Sequence, residues 1–496
     1  MKAVLAIDQG TTSTRALIVD EQGQIAARAQ VELPQSYPRP GWVEHDPETI
    51  WRDVVTTARH ALAEAEASGL VVSVIGIANQ RETFVVWDRA TGKAVHPAIV
   101  WQDRRGAELC DRLVRDGAEA EVSALSGLVL DSYFSASKLA WLLETMPGLR
   151  RRAEAGEIAF GTIDCFLLWR LTGGQVHATD PSNAARTLLF DIARMDWSDE
   201  LCTLFGVPRA MLPEVRDNDA LFGVADTAVL GRAIPVAGMG GDQQAALIGQ
   251  GCLSPGRVKI TYGTGAFGLM HTGETISRSR HRLLSTVAYR AGGRTCYALE
   301  GSIFVAGAGV QWLRDRMGIV ATAAETEALA RSLQGNDGVY LVPAFAGLGT
   351  PHWDSTARAL LCGMTLGTGA AHVARALLEA VAYQSEELVA TMRADSGLQA
   401  ELIRIDGGMA QNGWLCQFLA DVLATPVSRP ANVEATALGA AFLAGTAVGI
   451  WPSLAEAPSA AEQDARFAPA FAPNDRARLL EGWRDAVSRA RKSAYQ

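Results

Sequence analysis

The chain has 496 residues, of which 48% are apolar and 20% are charged, and its formal net charge is −9. This length predicts about two domains of ordinary size. Acidic and basic residues are interspersed, and no basic block is available to neutralise phosphates, so we expect neither nucleic acid nor a membrane surface as a partner.

The first residues, MKAVLAIDQG, contain only a short apolar run that Asp8 interrupts. This pattern predicts neither a signal peptide nor a membrane span. The seven cysteines are scattered singly, with no CxxC pair, and the eight histidines show no ligand spacing. We therefore expect reduced thiols, no zinc site and a cytoplasmic protein.

The N-terminal half begins with a predicted meander of three strands. Apolar runs and turn residues predict strands over 4–8, 15–20 and 25–33. A helix is predicted over 46–69, with Asp46 as its N-cap, and a buried strand over 71–79.

The C-terminal half repeats the strand, turn, strand pattern over residues 257–270, just after a short helix predicted within 241–251. Further on, the pattern predicts a strand, a Gly-rich turn, a helix and a strand over 402–427, a small-residue helix over 435–449, a surface segment over 452–473 and a terminal helix over 474–491. We expect an α/β protein with two domains, residues 1–250 and 251–496, each built on a mixed central sheet flanked by helices.

The first predicted turn, DQGTTSTR, combines an acid, a glycine, four hydroxyls and an arginine. Backbone N–H groups and hydroxyls in such a turn can cradle an anion. Asp8 could hold a hydrated Mg²⁺, and Arg15 could donate to phosphate oxygens. An ordinary tight hairpin is the alternative, because Gly, Thr and Ser are common in turns.

A second turn of the same kind, TYGTGAFG over 261–268, and the segment IDGGMAQN over 405–412 favour the phosphate interpretation. The three segments in this order resemble the actin, hexokinase and sugar-kinase superfamily. That resemblance implies two actin-type, ribonuclease-H-like domains around an ATP cleft. The residues that it places at the nucleotide are Thr11, Thr12, Ser13, Arg15, Thr264, Gly307, Gln311, Gly408 and Asn412.

Two longer segments, YFSASKLAWLL over 133–143 and GMTLGTGAAHVARALLE over 363–379, resemble the signature segments of the FGGY carbohydrate kinases. DQGTTSTRA, GIANQRETFVVWD, AIVWQDRR and GDQQAAL resemble the members of that family that phosphorylate glycerol. The resemblance runs to about residue 450. It implies transfer of the γ-phosphoryl of ATP to glycerol, with Mg²⁺, by a homodimer or homotetramer.

The same resemblance assigns the substrate residues. Arg81 and Glu82 would serve two hydroxyls, and because neighbours on a strand point to opposite faces, they must lie at a strand end. Trp101 and Phe267 would form the apolar walls of the pocket, and Tyr133 would contribute its hydroxyl. A solvated charge pair and ordinary core packing are the alternatives.

Asp242, in GDQQ, resembles the general base of the family and is also expected near the metal. A helix N-terminus there would favour its ionised form, and Gln243 would position the same hydroxyl. Plain helix capping is the alternative for Asp242.

Two other functions stay open at this stage. A kinase for a tetritol or a pentulose would need a roomier pocket, and a non-catalytic nucleotide switch would need no acceptor base. The loop ADTAVLGRAIP over 225–235 departs from the pattern by which some relatives bind fructose 1,6-bisphosphate, since Arg232 is one place off. The sequence therefore gives no support for regulation by that ligand.

Overall fold

The computed structural model describes residues 1–354, 356–432, 434–458 and 464–492. Residues 459–463 of the predicted surface segment lie outside this range. The strands are β1 (Lys2–Gln9), β2 (Ser13–Asp20), β3 (Ile25–Glu32), β4 (Glu44–His45), β5 (Val71–Asn79), β6 (Phe84–Asp88), β7 (Ala98–Ile99), β8 (Ile158–Thr162), β9 (Ala178–Thr179), β10 (Phe190–Asp191), β11 (Asp196–Trp197), β12 (Glu214–Val215), β13 (Leu221–Ala225), β14 (Ile234–Gly241), β15 (Val258–Tyr262), β16 (Ala266–Gly273), β17 (Leu284–Ala291), β18 (Arg294–Ile303), β19 (Tyr340–Val342), β20 (Leu360–Cys362), β21 (Ile403–Asp406), β22 (Val427–Arg429) and β23 (Ala465–Phe467).

The helices are α1 (Pro47–Ala67), α2 (Ala107–Arg115), α3 (Glu119–Ser126), α4 (Ser135–Thr145), α5 (Leu149–Glu154), α6 (Ile163–Leu171), α7 (Pro181–Ala184), α8 (Asp199–Phe205), α9 (Thr227–Leu230), α10 (Asp242–Gly249), α11 (Gly307–Asp315), α12 (Glu325–Arg331), α13 (Ala370–Ser396), α14 (Gly413–Leu423), α15 (Ala435–Ala447) and α16 (Pro473–Lys492). Short 3₁₀ turns lie at Arg209–Met211, Gly408–Gln411 and Leu454–Glu456. Asp46 caps α1 by accepting from the amides of Glu48 and Thr49, as its sequence predicts.

The first large sheet has the strand order β13-β14-β5-β1-β2-β3. β1 is antiparallel to β2 and parallel to β5, so the hairpin turn and the end of β5 lie at the same edge. Both faces of β1 are apolar and buried, because α1 and α6 cover one face and α15 packs against the other. This arrangement places Asp8, near the end of β1, at the carboxyl edge of the sheet.

The second large sheet repeats the motif, with the order β17-β18-β16-β15-β21-β22-β23. β15 is antiparallel to β16 and parallel to β21. Within the surface segment predicted over 452–473, Ala465–Phe467 forms an edge strand on β22 that was not predicted. Its alternating residues were too few to indicate a strand in the sequence.

Helices α10 and α15 pack directly against each other between the two sheets. A Cβ on Gly439 would lie 1.8 Å from the carbonyl oxygen of Ala245, and one on Gly249 would lie 2.0 Å from that of Ala435. The predicted small-residue helix therefore has its expected use, which is to let two backbones approach closely.

A smaller sheet, β4-β7-β6-β8, lies beside the first large sheet. Its β6 follows the loop that ends β5, and α4 packs on it within one apolar cluster with Phe84, Phe160 and Leu139. This layer supplies the loops that carry Arg81, Trp101 and Tyr133.

Across the described ranges, no helix is long and apolar enough to cross a membrane. All seven cysteines are unpaired, and six of them are buried. The expectation of reduced thiols is consistent with this arrangement.

Candidate active site

The first hairpin turn, residues 10–12, presents unused backbone donors. Gly10 closes the turn by donating its amide to the carbonyl of Ser13 at 2.9 Å. Within the described residues, the amides of Thr11 and Thr12 have no acceptor, and the buried hydroxyl of Thr14 has no partner. The turn therefore has the donors that an anion cradle requires.

The second turn has the same construction. Gly263 donates its amide to the carbonyl of Gly265 at 2.8 Å, and Thr264 at the tip is exposed. The carbonyl of Thr264 accepts from the amides of Ala306 and Ala308, both at 3.0 Å. These bonds fix the turn against the start of α11.

A chain of contacts joins the two turns. The indole Nε1 of Trp101 donates to Thr11 Oγ1 at 3.0 Å. The Trp101 ring lies edge-on to Phe267, just after the second turn, with 6.4 Å between ring centroids. One side chain, Trp101, therefore contacts both the first turn and the strand that follows the second turn.

Asp8 lies beside an excess of negative charge. Burial raises the pKa of the Asp8 carboxyl to about 7, Arg15 opposes this, and the carboxylates of Asp242 and Glu434 add to it. Arg15 pairs with Glu434 at 3.0 Å and lies 3.9 Å from Asp8. The predicted bond from Arg15 to phosphate stays a prediction, because Glu434 holds this guanidinium in the structure.

The carboxylates suit a hydrated divalent cation. The described residues contain no cluster of three or more His, Cys, Asp or Glu side chains that could hold a metal ion by themselves. Mg²⁺ needs only one or two protein carboxylates when phosphates and waters complete its shell. Asp8 and Asp242 are a donor set of that kind.

Arg81 and Glu82 lie just after the end of β5, and their prediction at a strand end is therefore confirmed. Glu82 has a φ of 61°, which marks a sharp turn in the backbone. Both side chains are buried, so the alternative of a solvated charge pair is wrong. Arg81 Nε lies 3.3 Å from Asp242 Oδ1.

Two further buried residues complete a charge network around this pair. Glu300 on β18 accepts from Arg81 at 2.6 and 3.0 Å and from Arg186 at 3.1 and 3.3 Å. Arg186 also donates to Glu82 at 2.6 Å. Burial acts to raise the pKa of Glu300, but Arg186 and Arg81 outweigh it and lower that pKa to about 2.

Trp101 and Tyr133 form a wall next to this network. Their rings meet edge-on, with centroids 5.6 Å apart. Lys138 on α4, fully buried, donates to the carbonyl of Tyr133 at 2.9 Å and to that of Trp101 at 3.4 Å. One lysine therefore fixes the backbone of both aromatic residues.

Asp242 is the first residue of α10, so its carboxylate lies at the positive end of the helix. One of its oxygens accepts from the amide of Gln243 at 2.7 Å, and 29% of its side chain is exposed. The side chain thus accepts from one amide in the first turn of α10, whose N-cap is Gly241, and it also faces open space, which a proton acceptor for substrate requires.

Five of the residues predicted for the nucleotide line one cavity of about 400 Å³. Thr264, Gly307, Gln311, Gly408 and Asn412 are all in its wall. Gly407 has a φ of 89°, and a Cβ there would lie 2.3 Å from the carbonyl of Tyr262. Gly407 is therefore required by the close approach of β21 to β15, whereas a Cβ on Gly408 would meet nothing within 4 Å.

The sequence interpretation missed Glu300, Arg186, Lys259 and Glu434. Glu300 lies in TCYALEGSIF and Lys259 in RVKITY, each the single charged residue within the apolar core of a strand. A lone charge in a buried run was the available signal, since such a charge is retained only with a partner.

Family models match both halves of the chain. The N-terminal domain of the FGGY family of carbohydrate kinases matches residues 3–249, and the C-terminal domain of the same family matches residues 258–448. The chain belongs to the FGGY family of carbohydrate kinases.

Individual relatives extend this similarity over nearly the whole chain. A glycerol kinase of Rhodospirillum centenum is 58% identical over 491 residues, 99% of this chain and 98% of that protein. A glycerol kinase of Gluconobacter oxydans is 55% identical over 98% of this chain and 95% of its own length. The crystal structure of Plasmodium falciparum glycerol kinase with ADP has a TM-score of 0.95 at 36% identity, covering 99% of this chain and 98% of that one.

The fold itself extends to more distant proteins. A xylulose kinase of Lactobacillus acidophilus has a TM-score of 0.89 at 19% identity, covering 100% of this chain and 99% of that one. These comparisons confirm the predicted fold class, two sheet-based actin-type halves.

Proposed function

We propose that the protein transfers the γ-phosphoryl group of ATP to glycerol and forms sn-glycerol 3-phosphate. The observation that carries this proposal is the position of Asp242, whose carboxylate lies 3.3 Å from Arg81 and is close enough to Asp8 to raise the pKa of that carboxyl. The names of the relatives that are 50 to 58% identical over nearly the full chain support glycerol as the substrate.

Phosphoryl transfer depends mainly on positioning and electrostatic stabilisation. Thr11, Thr12 and Ser13 of the first turn and Thr264 of the second would donate to the phosphates. The wall of Trp101, Tyr133 and Phe267 would enclose the carbons of the substrate and exclude water. Asp242 would accept the proton of the attacking hydroxyl.

Mg²⁺ belongs to this proposal because Asp8 and Asp242 suit it. When bound, the cation neutralises charge on the phosphates. Asp8 would hold it through water, and the excess of carboxylates around Asp8 supports a cation at that place.

The remaining expectations stay predictions. The division at residue 250 is supported by the separate family matches on either side of it. Cytoplasmic location is proposed from the scattered, unpaired cysteines, and a homodimer or homotetramer is proposed from the resemblance to the family alone.

The test measures ADP release by the purified protein with ATP and Mg²⁺ across glycerol, erythritol, D-xylulose and L-ribulose. Selective turnover of glycerol is expected. Turnover of a longer polyol with little turnover of glycerol would overturn the substrate while keeping the chemistry. ADP release that no polyol stimulates would indicate a nucleotide switch.

A further inference from the structure

Lys259 is a buried cation beside the candidate base for which the proposed reaction has no use. It lies on β15, in the first strand of the second hairpin, and is 0% exposed. Its Nζ donates to Oε1 of Gln243, the second residue of α10. Burying an ammonium is unfavourable unless it is hydrogen-bonded, so this bond is a strong constraint on both side chains.

The bond determines which way the Gln243 carboxamide points. An ammonium has donors and no acceptor, so the atom that faces Lys259 must be the amide oxygen. The NH₂ group, at the other corner of the amide, is then directed away from Lys259. Within the described residues, this NH₂ group makes no hydrogen bond.

Gln243 and Asp242 are adjacent at the start of α10, where the backbone N–H of Gln243 donates to the Asp242 carboxylate. The free NH₂ donor and the free carboxylate acceptor thus belong to one short segment. A hydroxyl needs both kinds of partner, a donor toward its oxygen and an acceptor for its proton. If the Gln243 carboxamide were rotated by 180°, its oxygen would take the place of the NH₂ group. The hydroxyl would then meet two acceptors, and its oxygen would have no donor.

We propose that Lys259 is a positioning residue that holds the Gln243 carboxamide with its NH₂ group toward the substrate, where it donates to a hydroxyl oxygen while Asp242 accepts the proton. This inference rests on the proposed function. Lys259 acts only through Gln243 and does not contact the substrate itself.

The first test replaces Gln243 by glutamate. Gln243→Glu keeps an acceptor for Lys259 and the size of the side chain, and it removes the NH₂ donor while adding a negative charge that Lys259 would pair with. The KM for glycerol should rise about tenfold, the size of effect that one lost hydrogen bond to substrate gives, while the KM for ATP stays within about twofold. Gln22→Glu makes the same change in the exposed β2–β3 turn and should leave both constants unaltered.

The second test is a double-mutant cycle. Lys259→Met should raise the KM for glycerol in the unmodified protein, because the amide is then free to flip. In the background of Gln243→Leu the same change should add little further, since Lys259 has no amide left to orient. Equal effects in both backgrounds would assign Lys259 a structural role and overturn the proposal.

The outcomes separate this inference from the proposed function. Turnover of glycerol by the unmodified protein decides the function alone. If another polyol is the substrate, the same variants are measured with that polyol, because the inference concerns a hydroxyl. A Gln243→Glu protein with an unchanged KM for the substrate overturns the amide orientation in either case.

Discussion

Arg81 and Glu300 join the loop after β5 to the second sheet through two hydrogen bonds of 2.6 and 3.0 Å. Both side chains are almost fully buried, with exposures of 3% and 1%. The candidate substrate pocket therefore depends on both halves of the chain, because a residue on β18 fixes an arginine that the N-terminal half supplies. Arg186 shares the same carboxylate and extends the link to Glu82.

Replacing Glu300 by glutamine should weaken substrate binding and stability together. Removing one partner of a buried ion pair leaves the other charges uncompensated and costs about 3–5 kcal/mol. Arg81 and Arg186 would then repel each other at the pocket. We expect the KM for glycerol to rise about tenfold or more, and urea unfolding to show the loss of stability.

The control for this variant is Glu108→Gln, on the exposed face of α2. It should leave the kinetics and the unfolding midpoint unchanged. A Glu300→Gln protein with the normal KM for glycerol would show that Arg81 holds its position without the β18 carboxylate.

Asp242→Asn should lower kcat while largely preserving glycerol binding. An amide occupies the same volume and can still accept from the backbone N–H of Gln243, but it cannot accept the proton of the attacking hydroxyl. Loss of a general base reduces the rate by about 10²–10⁴-fold. Isothermal titration with glycerol gives the binding constant, and the exposed Asp111→Asn on α2 is the matched control. A normal kcat would remove Asp242 from the base assignment.

Much of the fold was predictable because its signals are local. The hairpins, the Asp46 cap and the helix over 435–449 depend on residues close in sequence, and each is present in the structure. The partners of these elements were not predictable. That Gly439 packs on Ala245, nearly 200 positions away, depends on tertiary contact that no periodic pattern encodes.

The residues of the candidate site also fall into two groups, those that local motifs indicated and those that depend on tertiary contacts. Asp8, Asp242 and the glycine turns were indicated by motifs in which the chemistry lies within a few residues. Glu300 was missed because its role depends on Arg81 and Arg186, which come from distant loops and meet it only after the sheets assemble. The pairing of Arg15 with Glu434 was not predictable either, because this partner from the other half has no local sequence signal.

Asp8→Asn should increase the Mg²⁺ concentration needed for half-maximal activity. The amide retains the volume but removes a charge from the carboxylate cluster that suits the cation. We expect a shift of about tenfold, with activity partly restored at high Mg²⁺. The shift in this Mg²⁺ concentration is measured by titrating activity against Mg²⁺ at saturating ATP. An unaltered Mg²⁺ dependence would place the cation elsewhere.

Lys138 should make stability increase with pH above neutrality. Burial lowers the pKa of Lys138 to about 8, although Glu82 and other acids oppose this, so the folded chain releases this proton more readily than the unfolded chain does. Between pH 8 and the ordinary lysine pKa of about 10.4 the unfolded chain binds more protons, and the folded state gains stability as pH rises. The gain, about 3 kcal/mol at most, disappears as pH falls through 8.

The measurement is the free energy of unfolding in urea at pH 7 and pH 9.5, for the unmodified protein and for Lys138→Met. The comparison between the two proteins isolates the contribution of Lys138 from that of other titrating groups. Lys138→Met should show a smaller rise, and an equal rise in both proteins would mean that Lys138 keeps its ordinary pKa.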